Sequence, residues 1–140
     1  MDGGFKLSDT LLILLAELVL NPSKKEKIEL FQRARALLYP IESHEPFGLI
    51  VIEAMSCGTP VVAMNLGAMP EIIKDGYTGF LCNSLKDFEK CLNNLGQIDP
   101  KNCHFYVREK FDYRKVVPLF VEVYRRLQGD FDESGPNLSR

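Results

Sequence analysis

Glu45 and Glu53 stand eight positions apart in the stretch HEPFGLIVIEAMSCGTP, residues 44–60. The run between them is almost entirely apolar and contains Gly48. Read as a helix over about 46–57, it carries apolar side chains around most of its circumference, which predicts a buried helix. Glu53 is then its one charged residue. A buried carboxylate without donors is strongly disfavoured or takes up a proton, and the hydroxyls of a sugar or ribose would supply donors. Gly48 in the first turn costs about 1 kcal/mol relative to alanine and leaves a backbone that a ligand can approach closely. The N–H groups of Phe47, Gly48 and Leu49 lie at the positive end of the helix dipole, which suits a phosphate or a sugar oxygen. Glu45, before Pro46, reaches the same cleft. Eight residues of helix rise ~12 Å, beyond the ~5–10 Å of a glycosidase carboxylate pair, so the two acids suit two ends of one extended ligand. The plain alternative makes Glu45 a solvated loop residue and puts Glu53 on a narrow exposed stripe.

These residues need a frame. Ser8-Asp9 reads as the cap of a helix over about 9–20, and Ser23 as the cap of a helix from about Lys24 to Arg35. ALLYPI, 36–41, reads as a short buried strand, as do PVVAM, 60–64, and FLCN, 80–83. NLGAMPEII gives a loop and a short helix, and DGYTG a turn. Helices follow over about 85–95, 100–110 and 117–128, the last with Pro118 in its first turn. Short apolar strands alternating with helices mean parallel βαβ units with helices on both faces. The expected fold class is therefore α/β, a Rossmann-like parallel sheet flanked by helices. It occupies residues 1–128, with a polar, disordered tail over 129–140. On such sheets ligands bind beyond the carboxyl ends of the strands, where loops 41–48 and 65–71 fall.

Composition narrows the classes. A chain of 140 residues suits one domain with its own core. A net charge of −2 argues against an electrostatic nucleic-acid binder. No GxGxxG and no GxxxxGK[ST] occurs. The four cysteines, Cys57, Cys82, Cys91 and Cys103, match no zinc spacing. They read as buried reduced thiols, which suits a cytoplasmic protein. His44 and His104 are too far apart in sequence to suggest a metal site. No metal and no cofactor is expected. TLLILLAELVL, 10–20, spans 11 residues, short of the ~20 that cross a bilayer, and contains Glu17. It reads as a buried element. The final helix and its lead-in set Arg114, Lys115, Arg125 and Arg126 beside Val117, Phe120, Val123 and Leu127. That pattern suits a solvated face with an apolar core stripe, with peripheral membrane contact as the alternative.

The stretch EPFGLIVIEAMSCGTPVVAMNLGAMPEIIKDGYTGFL, residues 45–81, resembles the core motif of retaining GT-B glycosyltransferases of family 4, also called group 1. The first part of the pattern matches at Glu45, Phe47, Gly48, Leu49, Glu53, Ala54, Met55, Gly58 and Pro60. The second part matches at Gly67, Pro70, Glu71, Asp75, Gly76, Thr78, Gly79 and Leu81. KIELFQRARALLYP resembles the helix and strand that precede the motif, so the likeness covers about residues 24–128. It implies the C-terminal half of a GT-B fold. It further implies that Glu45 is the catalytic-site acid contacting the donor sugar, and that the amides of Phe47, Gly48 and Leu49 cradle sugar and diphosphate. Glu53 would clamp the ribose hydroxyls. His44 is a candidate sugar contact, with a plain loop histidine as the alternative. Glu71 is expected to brace its loop, and Tyr77 and Thr78 to shape a turn.

The chain departs from the pattern in three ways. The acceptor-holding domain and the first part of the donor domain have no counterpart in it. Ala68 stands where the family often has a second glycine. The basic residues that meet the diphosphate in the family are missing with that first part, and Lys74 is the nearest basic residue downstream of Glu53. The expectation is the donor-binding portion of a retaining glycosyltransferase: a fragment, a truncated gene product, or one half of a split enzyme. Its partners would be a nucleoside-diphosphate sugar and a separate acceptor-binding domain or subunit. An open sheet edge would also favour self-association. The alternative is a non-catalytic GT-B-like subunit or partner-binding module. A phosphorylase or sugar-nucleotide epimerase would need a lysine pattern that this sequence lacks.

Overall fold

The computed structural model describes residues 19–131. The helix expected over 9–20 falls almost wholly outside them, as does the end of the expected tail, residues 132–140. The first described helix, α1, is Lys24–Arg33. Ser23 caps it as expected: its hydroxyl accepts the Glu26 N–H at 3.3 Å, and the Glu26 carboxylate accepts the Ser23 N–H at 2.8 Å. Strand β1 is Leu37–Tyr39, followed by α2, Leu49–Ser56. Strand β2 is Val61–Met64, and the short α3 is Met69–Ile72. Strand β3 is Gly79–Cys82, then α4 is Asp87–Asn93, with a 3-10 turn at Leu95–Gln97. The described chain ends in α5, Pro100–Phe111, and α6, Tyr113–Phe131.

The three strands form one parallel sheet in the order β1-β2-β3, with Leu37 opposite Val61 and Val61 opposite Gly79. All four residues of the central β2 are buried. Alternation sends Val61 and Ala63 into one apolar cluster and Val62 and Met64 into another. The first cluster packs the sheet against Val51, Ala54 and Met55 of α2 and Cys103 and Val107 of α5. The second packs it against Phe88 of α4 and Leu95. Helices thus cover both faces, and the Rossmann-like α/β class is the one observed. Thr59 ties α1 to the sheet by donating its buried hydroxyl to the Phe31 carbonyl at 2.6 Å.

Four details differ from the sequence reading. Strand β1 is not buried: it is an edge, and Leu38 is 47% exposed. Helix α2 starts later than expected and presents one face to solvent, with Leu49 68% exposed. Helix α6 starts at Tyr113, because Asp112 accepts the Arg114 N–H at 2.9 Å and caps it there. Pro118 therefore lies inside the helix, which runs through Phe131, beyond the expected end at 128. The apolar stripe of α6 is no core stripe: Val117, Phe120, Val123, Tyr124 and Leu127 are all exposed, and the helix packs on α5. Among the described residues, no helix is long and apolar enough to cross a membrane.

Candidate functional site

Parallel strands send their carboxyl ends to the same edge of the sheet, so the β1–α2 loop and the β2–α3 loop emerge side by side. They touch at backbone distance. The Ala68 N–H donates to the Glu45 carbonyl at 2.9 Å. Gly67 makes this approach feasible. Its φ of 56° lies in the left-handed region, and a Cβ there would sit 2.5 Å from the Glu45 carbonyl oxygen and 2.8 Å from the Glu45 nitrogen. Ala68, by contrast, has a φ of −78° that any residue adopts, so a methyl group at this position causes no backbone strain.

Gly48 is the cap of α2, with a φ of 76°, rather than a residue of its first turn. The group nearest the space a Cβ would fill is the Met69 methyl, at 2.6 Å. The close approach expected of a ligand is thus made by the protein's own side chain.

Glu45 folds back over the start of α2. Its Oε1 accepts the Gly48 N–H at 3.0 Å and the Phe47 N–H at 3.4 Å. A carboxylate at this end of a helix is favoured by the dipole. Its Oε2 accepts the Tyr39 hydroxyl at 3.1 Å. Partial burial, and then the adjoining Glu45 carboxylate, push the Tyr39 phenol up from its ordinary value. The amides of 47 and 48, expected to stand free for a ligand, are therefore taken by Glu45. The turn at Gly48 brings the side chain three residues earlier within reach of them.

Glu53 is exposed, which corrects the buried-carboxylate argument. Helix α2 buries Val51, Ala54 and Met55 completely and turns Leu49, Ile50, Glu53 and Ser56 outward. Both Glu53 oxygens accept from Lys27 Nζ of α1, at 2.9 and 2.8 Å. The donor that Glu53 needed is a lysine, and solvent completes the shell.

Beside the junction of the two loops lies a cavity of about 440 Å³. His44, Glu45 and Phe47 line it, whereas Leu49 and Glu53 do not. Glu71, expected chiefly as a brace with ligand contact as the alternative, lines it too. So do Lys110 and Phe111 from the end of α5, which the sequence reading missed. Phe111 meets the Phe47 ring edge-to-face, with centroids 6.5 Å apart. Lys74 sits elsewhere, over the Tyr77 ring. Lys110 is the lysine among the lining residues, and its Nζ sits over the Tyr106 ring, 5.3 Å from the centroid. Nothing in the spacing marks it, because only the packing of α5 on α2 brings it there. The lining brings together His44, Glu45 and Glu71 with the rings of Phe47 and Phe111, a set suited to a polyhydroxylated ligand. Among the described residues, no cluster of three or more His, Cys, Asp or Glu is placed to hold a metal ion.

Comparison with known proteins places this geometry. Over 130 residues the chain is 29% identical to N-acetyl-alpha-D-glucosaminyl L-malate synthase of Bacillus anthracis, covering 84% of this chain and 32% of that protein. Over 81 residues it is 41% identical to D-inositol 3-phosphate glycosyltransferase of Mycobacterium leprae, covering 57% of this chain and 19% of that one. The chain therefore spans about a third or less of the length of these relatives. Sucrose-phosphate synthase from Thermosynechococcus elongatus superposes on 72% of the chain with a TM-score of 0.64 and 26% identity, over 27% of its own length. Anabaena HepE, solved with UDP-glucose, shares the fold at a TM-score of 0.64 and 23% identity, covering 72% of this chain and 30% of its own. Residues 16–102, well over half of the chain, match the family described as glycosyl transferases group 1, and the chain belongs to that family.

Proposed function

We propose that this chain is the donor-binding portion of a retaining glycosyltransferase of the GT-B kind, family 4, that holds a nucleoside-diphosphate sugar. One observation carries the reading. The two loops at the carboxyl ends of β1 and β2 are joined through Gly67 and Ala68, and the junction sets Glu45 at the mouth of α2 beside a cavity of about 440 Å³. Ligands of parallel α/β sheets bind at this edge. In the parent reaction the bond from the anomeric carbon to the diphosphate breaks and a bond to an acceptor oxygen forms on the same face. The acceptor hydroxyl loses its proton, and the diphosphate leaves with the electron pair. Glu45 faces the sugar, with His44 and Phe47 beside it. Lys110, once swung off the Tyr106 ring, balances the growing charge on the diphosphate. Glu53 reaches the ribose hydroxyls by exchanging Lys27 for them. The acceptor is held by a separate domain or subunit, to which the exposed apolar stripe of α6 offers an uncovered surface.

The names of the relatives support sugar transfer, since the aligned proteins include a glycosyltransferase and a glucosaminyl-malate synthase. The test is calorimetric titration of UDP, GDP and ADP sugars into the full chain, with Glu45→Gln and Glu53→Ala as controls. Micromolar to millimolar binding that both substitutions weaken is the expected result. A non-catalytic GT-B-like module is the second reading. It is favoured by the occupied state of the site, in which Glu45 takes the amides and Lys27 takes Glu53. Absence of binding to every sugar nucleotide would select it.

A further inference from the structure

We propose that Tyr39 is a positioning residue for the donor sugar: it aims the one acceptor site that Glu45 has left. The inference rests on the reading of Glu45 as the sugar-facing acid. An ionised carboxylate offers about four acceptor positions. Two, on Oε1, are taken by the Gly48 and Phe47 amides, and a third, on Oε2, by the Tyr39 hydroxyl. The remaining position lies on Oε2, and a ligand hydroxyl in the adjoining cavity would use it. Its direction depends on the plane of the carboxylate, and Tyr39 fixes that plane.

The two partners differ in rigidity. Glu45 sits on a loop, with three side-chain torsions free to turn. Tyr39 is the last residue of β1, paired in register with Ala63 of the fully buried β2. Its ring is half-buried and packs against the main apolar cluster. A phenol on a strand thus holds a carboxylate on a loop. The raised titration of the phenol keeps it a protonated donor through the neutral range. Loss of this bond would release Oε2 while leaving the Oε1 cap, and with it the fold of α2, in place.

The experiment titrates UDP, UDP-glucose, GDP and GDP-mannose into the full chain and into Tyr39→Phe, Glu45→Gln and the double variant. Circular dichroism of each variant checks that the fold is kept. In the pair that the native chain binds, Tyr39→Phe is expected to weaken the sugar nucleotide roughly tenfold, the loss of one hydrogen bond to a charged group. The bare nucleotide should bind within about twofold of the native chain. The double variant should bind no more weakly than Glu45→Gln alone, because both changes act through one contact. Equal weakening of nucleotide and sugar nucleotide would make Tyr39 merely structural and overturn the proposal. Unchanged sugar-nucleotide affinity in Tyr39→Phe would overturn it as well, while leaving the donor-site reading intact. If the native chain binds none of these four compounds and no ADP sugar either, the donor-site reading falls and the role of Tyr39 falls with it.

Discussion

The two glutamates at the ends of α2 are held in opposite ways. Glu45 is gripped by two backbone amides and a phenol on a strand, at a junction where two loops share a hydrogen bond. Glu53 is gripped by one lysine on the surface of α1, with its side chain 46% exposed. The first arrangement fixes a carboxylate to the sheet through short, rigid links. The second fixes it to a flexible amine that solvent screens. Position relative to the sheet edge, and not the apolar character of the surrounding sequence, decides which acid is rigidly held.

The strongest way to break the rigid end is Gly67→Ala. The added methyl would overlap the Glu45 backbone at a left-handed φ. We expect a loss of about 2–4 kcal/mol in stability and of measurable sugar-nucleotide binding, read by denaturant melts and calorimetry. Native-like behaviour of this variant would mean that the loops are not joined in solution. A second pair of changes sharpens the two faces of α2. Met55→Ala, at a fully buried position, should cost about 3 kcal/mol, whereas Leu49→Ala, 68% exposed, should cost well under 1 kcal/mol. Comparable losses in urea melts would show that another surface covers the outward face.

A smaller effect concerns another carboxylate at a helix start. Asp112 accepts from the Arg114 side chain and N–H, and these bonds, led by the guanidinium, hold its carboxyl down at about 2. Its folded value lies below the ordinary carboxylate value of about 4. Its contribution to α6 is therefore present above about pH 4 and lost as pH falls toward about 2. Carbon-detected NMR titration of the Asp112 carboxyl should give a midpoint well below 4, and Arg114→Ala should return it to the ordinary range. The smallest expected effect is at the flexible end. Lys27→Met should change stability by at most ~0.5 kcal/mol, since the pair is largely solvated. A larger loss would place Glu53 in the rigid class after all.

Much of the frame was legible because local chemistry dictates it. Ser23 announces the cap of α1, and the apolar run PVVAM announces a buried strand. The alternation of strands and helices placed loops 41–48 and 65–71 at the carboxyl edge of the sheet, where they lie. Three points were not fully legible. Nearly uniform apolar composition in α2 left its outward stripe as only one of two readings, the one the structure bears out, because periodicity cannot separate faces that are chemically alike. Pro118 drew the start of α6 several residues too far along, past the cap at Asp112. Tyr39 and Lys110 reach the site only through strand register and the packing of α5 on α2, which no local spacing encodes.

The contact at Gly67 also sets rules for anyone wishing to redesign this cleft. Position 67 admits only a hydrogen atom in place of a side chain, so a mutational library spends its diversity there in vain. Position 68, one bond along the chain, already carries a methyl group on relaxed backbone, and His44 and Glu71 are exposed at the cavity wall. On the proposed donor-site reading, new sugar preferences are best sought at 44, 68 and 71, with residue 67 left untouched as the fixed hinge pin between two adjustable loops.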